Sequence, residues 1–284
     1  IIDCYQRFFE LDHQPANIIC EDARKHIQTL RNTDLLIVDL SDADTYAQGH
    51  IPGAIRVDTS RLMLGSGPVP NKLPTASQLS DLFSEMGLTA DTHIVVYDNQ
   101  MGPWAGRMIW TLNIVGHEQC SFLNGQLKSW TDAGYSLEQQ ENQPTPTPFR
   151  AQINHDLIAD VAFLKQQMHD RDTVIWDARS GEEYRGEKIV NAQKGGHIPG
   201  ALLYEWTNVM HSANDTRLRD LNDIQNELDT MGITRDKELI THCQTHRRSG
   251  LTYLVAKHLG FTKIRCYDGS WFEWGNLPDT PVEQ

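Results

Sequence analysis

The feature that most restricts how this chain can fold is that it carries one pattern twice. Leu36-Ile37-Val38-Asp39 followed by Gly49-His50-Ile51-Pro52-Gly53-Ala54 recurs as Val174-Ile175-Trp176-Asp177 followed by Gly196-His197-Ile198-Pro199-Gly200-Ala201. Downstream, Ile94-Val95-Val96-Tyr97-Asp98 corresponds to Leu239-Ile240-Thr241-His242-Cys243. The copies then stay in register through Val115-Gly116 with Leu259-Gly260, Asn124-Gly125 with Asp268-Gly269, and Trp130 with Trp274. An offset of roughly 140 to 147 residues is the length of a domain, so this is a duplication and not a short solenoid repeat.

Between the copies lies Gln139-Gln140-Glu141-Asn142-Gln143-Pro144-Thr145-Pro146-Thr147-Pro148, polar and interrupted by prolines that remove backbone donors and favour extended chain. We therefore divide the chain into an N-terminal unit over 18–138, a linker over 139–152 and a C-terminal unit over 153–284. In the second unit, the expected elements are an amphipathic stretch near Asp156 to His169, a strand over Thr173 to Asp177 and a helix over Leu221 to Met231. A strand over Glu238 to His242, a helix over Ser249 to Leu259 and a strand over Lys263 to Tyr267 follow. Short apolar strands alternating with helices predict an α/β fold, each unit a mostly parallel sheet covered by helices on both faces. In such sheets ligands bind beyond the carboxyl ends of the strands, which is where Cys243 falls.

A formal charge of −13 argues against nucleic acid as a partner, since phosphate backbones require clustered Lys and Arg. No apolar run approaches the ~18 residues that span a bilayer, and Ile1-Ile2-Asp3-Cys4-Tyr5 does not read as a secretion signal. The expectation is a cytoplasmic protein without membrane contact. The five cysteines, Cys4, Cys20, Cys120, Cys243 and Cys266, are scattered and form no C-x-x-C pair, which speaks against a disulfide framework or a zinc cage.

One of these thiols stands in a distinctive setting. His242-Cys243-Gln244-Thr245-His246-Arg247-Arg248-Ser249-Gly250 follows an apolar strand and opens a helix, and it is the most basic short stretch of an acidic chain. A loop ending at a helix N-terminus can aim several backbone N–H groups at an anion. The helix dipole together with Arg247, Arg248 and His246 would stabilise a thiolate and draw in an anionic substrate. His242, Cys243 and His246 could also be read as metal ligands, but no second ligand cluster accompanies them.

The paired Gly-His-Ile-Pro-Gly-Ala motifs, the Cys-Gln-Thr-His-Arg-Arg-Ser loop and the closing Asp268-Gly269-Ser270-Trp271 resemble the rhodanese family over nearly the whole chain after about Ile18. The loop is most similar to that of tandem-domain bacterial members that use thiosulfate and read Cys-Gln-Thr-His-His-Arg-Ser; here Arg247 replaces the second His. The resemblance implies that Cys243 takes the outer sulfur of a small anionic donor as a persulfide and passes it to cyanide or a thiol, without metal or cofactor. Thioredoxin-like or other sulfur-acceptor proteins would be further partners. It further implies substrate contacts from Gln244, Thr245, His246, Arg247, Arg248 and Ser249, with Arg185 gripping the donor's sulfonate and Arg179 structural. Trp104, Trp271 and Trp274 are expected to form an apolar lip over the site. His50 and His197 occupy matching turns of both copies, which favours a structural role.

The first copy has Asp98 in place of Cys243, a poor nucleophile for sulfur transfer, and Asn99-Gln100-Met101-Gly102-Pro103 brings no cation. It is expected to be catalytically silent and to wall one side of the cleft. Two other functions compete. A cysteine phosphatase or arsenate reductase needs His-Cys-x5-Arg to enclose a tetrahedral oxyanion, whereas the sixth position after Cys243 holds Ser249. A noncatalytic sulfur-relay or redox-sensing module would want the same activated thiol and differs only in failing to turn over a small donor.

Overall fold

The structure, a computed structural model, describes Asn17–Ile19 and residues 35–284. Cys4 and Cys20 lie outside the described residues. Each copy forms a five-stranded sheet. In the first, β1 (Asn17–Ile19), β2 (Leu35–Asp39), β3 (Ala54–Arg56), β4 (His93–Tyr97) and β5 (Cys120–Leu123) are ordered β1-β5-β4-β2-β3. In the second, β6 (Ile158–Ala159), β7 (Thr173–Asp177), β8 (Leu202–Leu203), β9 (Glu238–His242) and β10 (Ile264–Tyr267) repeat that order as β6-β10-β9-β7-β8. Every pairing is parallel. Asp39 pairs with Tyr97 and Asp177 with His242, so the two central strands of each sheet end level. The residue after each level end, Asp98 or Cys243, therefore sits at the same corner of its fold.

Helices connect the strands, as parallel order requires. Those of the first copy are α1 (Ala43–Gln48), α2 (Ala76–Glu85), α3 (Pro103–Ile114) and α4 (Gln126–Asp132). Those of the second are α5 (Val161–Gln167), α6 (Gly181–Tyr184), α7 (Leu221–Met231), α8 (Arg248–His258) and α9 (Ser270–Trp274). Their ends follow local chemistry: Thr75 and Gln78 form a capping box at α2, and Asp220 caps α7, which stops at Gly232 in the left-handed region. No helix of the described residues is long and apolar enough to cross a membrane.

Two helices differ from the rest. All of α3 is buried, as is α8 from Ser249 to Ala256, because they pack against each other between the two sheets. A helix buried on every side needs such a sandwiched place. The crossing is at glycine: a Cβ on Gly106 would lie 2.4 Å from the Leu251 nitrogen, and one on Gly250 would lie 2.5 Å from the Arg107 nitrogen. One apolar core accordingly runs through both copies, from Val38 and Phe122 through Trp110 to Tyr253 and Cys266. Smaller clusters around Tyr97 with Trp130 and around Tyr267 with Trp274 cover the outer faces.

The segment after Gln139 has no regular structure until His155 but is laid along α2. The Thr147 amide donates to the Ser84 carbonyl at 3.0 Å, the Ala151 amide donates to Ser80 Oγ at 3.0 Å, and Phe149 packs edge-on against Phe83. The amphipathic stretch expected near Asp156 to His169 is shorter in the structure. Ile158 and Ala159 instead complete the sheet beside β10, and α5 begins only after Asp160, whose carboxylate accepts from the Phe163 amide at 2.8 Å.

Candidate active site

Cys243 follows β9 and its loop ends at Arg248, the first residue of α8. The loop is held from behind by the Asp268-Gly269-Ser270-Trp271 motif: the Trp271 amide donates to the Cys243 carbonyl at 3.0 Å, and the Phe272 amide to the Gln244 carbonyl at 2.9 Å. The Thr245 and Ser249 amides of this loop favour the charged form of the sulfur. His246 adopts φ +55°, a left-handed conformation that costs a non-glycine residue roughly 1–2 kcal/mol and tightens the loop. Ser249 Oγ donates to Cys243 Sγ at 3.4 Å and lies 2.7 Å from His246 Nδ1. Since the hydroxyl proton goes to sulfur, His246 must donate from Nδ1, which fixes its tautomer.

The electrostatics single out this thiol. Burial would push Cys243 up, but the Arg248 charge, the Ser249 hydroxyl and the Ser249 and Thr245 amides together hold it below its ordinary value. The other two described cysteines go the opposite way: burial pushes Cys120 up to about 12 and Cys266 well above the usual thiol range. Arg248 forms a bidentate pair with Glu183, Nη1 to Oε2 at 2.7 Å and Nη2 to Oε1 at 2.9 Å. Although burial opposes its charge, the Glu183 carboxylate keeps Arg248 firmly protonated. Beside the sulfur, Asp177 accepts from Arg179 Nε and Nη2, and Arg179 stacks 4.3 Å from the Trp271 ring. His242, buried against this pair, is kept neutral by desolvation.

The sulfur lies at the floor of a cavity of about 400 Å³. Gln244, Thr245, Arg247 and Arg248 line it together with Glu183, Lys188, Val190 and Trp206, and the first copy contributes Gln100, Pro103 and Trp104. Arg247 lies over the Trp104 ring at 5.2 Å, so Trp104 does form part of the mouth. The other expectations for the lip are corrected: Trp271 and Trp274 are fully buried in the outer core and reach no part of the cavity lining. His246 also departs from its expected cationic role. Burial holds it well below its ordinary value, and its ring packs edge-on to Trp110 instead of facing the cavity. Ser249 acts from beneath the sulfur. Arg185 is not brought to the cavity; its guanidinium is exposed and pairs with Glu187, Nε to Oε1 at 2.8 Å.

Lys188 and Val190 line the cavity, which Arg185 does not reach. The interval from Asp177 to Gly196 is nine residues longer than that from Asp39 to Gly49, and both residues belong to this extra length, a signal readable in the sequence. Ser180 and Glu183 form a recognisable capping box at α6, but only the fold shows that the Glu183 carboxylate reaches Arg248. No local pattern marks Trp206. His50 and His197 stack at 3.7 Å on Tyr46 and Tyr184, and those hydroxyls donate to Ala54 and Ala201, an identical turn lock in both copies and remote from the cavity.

The first copy shows what such a loop holds when it has no cysteine. The Asp98 carboxylate accepts from the amides of Gln100, Gly102, Trp104 and Ala105 at 2.8, 2.8, 3.0 and 3.1 Å. Its own side chain fills the anion cradle, leaving no room for a second anion.

A family model described as the rhodanese-like domain matches the chain twice, over residues 21–133 and 160–277. Thiosulfate sulfurtransferases of Azotobacter vinelandii and Pseudomonas aeruginosa are 47% and 46% identical to it over 250 residues, 88% of this chain and 91% of each relative. Among solved structures, the anaerobic ergothioneine biosynthesis enzyme of Chlorobium limicola in complex with trimethyl histidine superposes with a TM-score of 0.80. It is 26% identical, and the match covers 100% of this chain and 68% of that one.

Proposed function

The chain belongs to the rhodanese family, and on that premise we propose that it is a thiosulfate sulfurtransferase whose sulfur carrier is Cys243. The observation that carries this reading is the setting of that one thiol, lowered in pKa at the floor of a cation-rimmed cavity while Cys120 and Cys266 are raised. The Cys243 thiolate attacks the outer sulfur of thiosulfate. A new S–S bond forms at Sγ, the sulfur–sulfur bond of the donor breaks, and its electron pair leaves with sulfite. The product is an anionic persulfide, which the loop amides stabilise as an oxyanion hole stabilises oxygen. Cyanide or a thiolate then attacks the terminal sulfur, and Cys243 departs as thiolate.

Lys188 and Arg247, which make no ion pair among the described residues, are assigned to receive the donor's sulfonate at the mouth. Arg248 is assigned to the sulfur itself. Arg185 would contribute only by leaving Glu187. The first copy, assigned to 18–138 and joined through 139–152, is catalytically silent because Asp98 occupies its cradle; the catalytic unit is 153–284. A cavity larger than cyanide needs, open at a cationic rim, suits a thiol acceptor, and thioredoxin-like or other sulfur-acceptor proteins are its proposed partners. The described cysteines are free thiols, which supports a reducing, cytoplasmic setting.

The test is steady-state kinetics with thiosulfate and cyanide, beside p-nitrophenyl phosphate. Thiocyanate formation that vanishes in Cys243→Ser, with negligible phosphate ester hydrolysis, is the expected result. Phosphatase turnover without thiocyanate would defeat the reading, and persulfide loading without turnover would make the protein a relay.

A further inference from the structure

Arg107 stands on α3 of the first copy and is completely buried, yet it meets no carboxylate among the described residues. Its donors go to backbone carbonyls alone. Nε donates to Leu62 at 2.9 Å, and Nη2 to Asn71 at 2.7 Å and Lys72 at 3.3 Å. Nη1 crosses to the other copy and donates to the carbonyls of His246 at 3.1 Å and Thr245 at 3.4 Å, both in the catalytic loop. Burying a cation without a paired anion is expensive, and an apolar residue would serve the core better. Burial lowers Arg107 to about 10, with Asp268 and Cys243 working the other way, so it stays charged at neutral pH.

The contact also bears on loop shape. In a trans peptide the N–H points opposite the carbonyl, so fixing the Thr245 and His246 carbonyls on Arg107 turns the His246 and Arg247 amides to the far side. The Thr245 and His246 peptides are thereby held in one orientation, directly after the Thr245 amide that lowers the sulfur's pKa. The strained φ of His246 needs an outside hold of this kind. The arrangement is one-directional: the glycine crossing matches Gly106 with Gly250, which makes Leu251 the counterpart of Arg107, and Leu251 is apolar.

We propose that Arg107 is a positioning residue for sulfur transfer, through which the copy without the cysteine shapes the persulfide cradle of the copy that has it. The inference rests on the sulfurtransferase reading but has a readout independent of it.

The experiment compares the full chain with Arg107→Met and Arg107→Lys, measuring Cys243 alkylation by iodoacetamide across pH, kcat and KM for thiosulfate, and thermal midpoint. His242 and His246, the titratable neighbours on the loop, are already neutral, so they do not blur the profile. In Arg107→Met the loosened loop should raise the alkylation midpoint and lower kcat about tenfold, with KM within about twofold because Arg107 does not touch the donor. Arg107→Lys should lower kcat as well, because one ammonium cannot reproduce the forked grip on the carbonyls. A folded Arg107→Met with native midpoint and kcat, or a change in KM alone, would overturn the proposal. Should Arg107→Met fail to fold, Arg107→Lys decides, native kcat counting against the proposal and reduced kcat for it. A wild-type protein that forms no thiocyanate would defeat the sulfurtransferase reading, whereas the alkylation profiles would still judge Arg107.

Discussion

Cys243 is set apart from Cys120 and Cys266 by what surrounds it, since all three are buried. Removing a thiol from water favours the protonated form; only at Cys243 do a cation, a hydroxyl and two amides reverse that preference. Because its pKa is lowered, the thiolate persists above that value and is lost as pH falls through it. Persulfide formation should therefore rise from acid pH to a plateau reached before ~8.5, where an unperturbed thiol titrates. A rate still climbing through that range would show that the sulfur is not activated. At the mouth, Lys188→Ala should lower kcat/KM for thiosulfate by roughly tenfold, as loss of one charge-assisted contact implies, while Arg185→Ala should change it little. The reverse ranking would mean that Arg185 leaves Glu187 to meet the donor. Cys243 was legible in the sequence because strand end, basic loop and helix start are contiguous. Lys188 lies in the extra nine residues that the sequence shows, but its place at the mouth, like those of Trp206 and Arg107, exists only once distant segments are folded together.

Among the elements, the loop before a buried helix does the same work twice with different occupants. In the second copy the amides serve Cys243; in the first they are saturated by Asp98. Asp98→Asn keeps one acceptor oxygen but sets an NH2 group against amides that donated to the carboxylate. It should cost about 2 kcal/mol, read as a lower denaturant midpoint, without touching the cavity floor. The glycine crossing is the other constraint at this scale. Gly250→Ala would place a Cβ against the Arg107 backbone, which cannot yield as a side chain would, so stability should fall by roughly 1–3 kcal/mol. Activity should fall with it, because α8 begins at the loop's end. An unchanged melting temperature would refute the close approach. The strands Thr173–Asp177 and Glu238–His242 and the helix Leu221–Met231 of the second copy were readable from their apolar periods residue by residue, whereas the short α6, β8 and α9 were not. The short edge strand β6 was not, since two residues carry too little pattern to be told from the helix that follows.

Over the whole molecule, duplication gives two sheets of one topology joined by a common core, and divergence gives the two halves separate tasks. The tandem arrangement was visible in the repeat itself. That the first copy lends the cavity Gln100, Pro103 and Trp104, and the loop its buried cation, follows only from packing α3 against α8. Sulfur transfer by this molecule depends on one atom, the Cys243 sulfur. Its most direct test is mass analysis of the full chain after incubation with thiosulfate and removal of excess donor. One added sulfur, about 32 Da, should appear on the peptide containing Cys243, with release of sulfite, and disappear on addition of cyanide. The same mass on Cys120 or Cys266, or full thiocyanate formation by Cys243→Ser, would contradict the account.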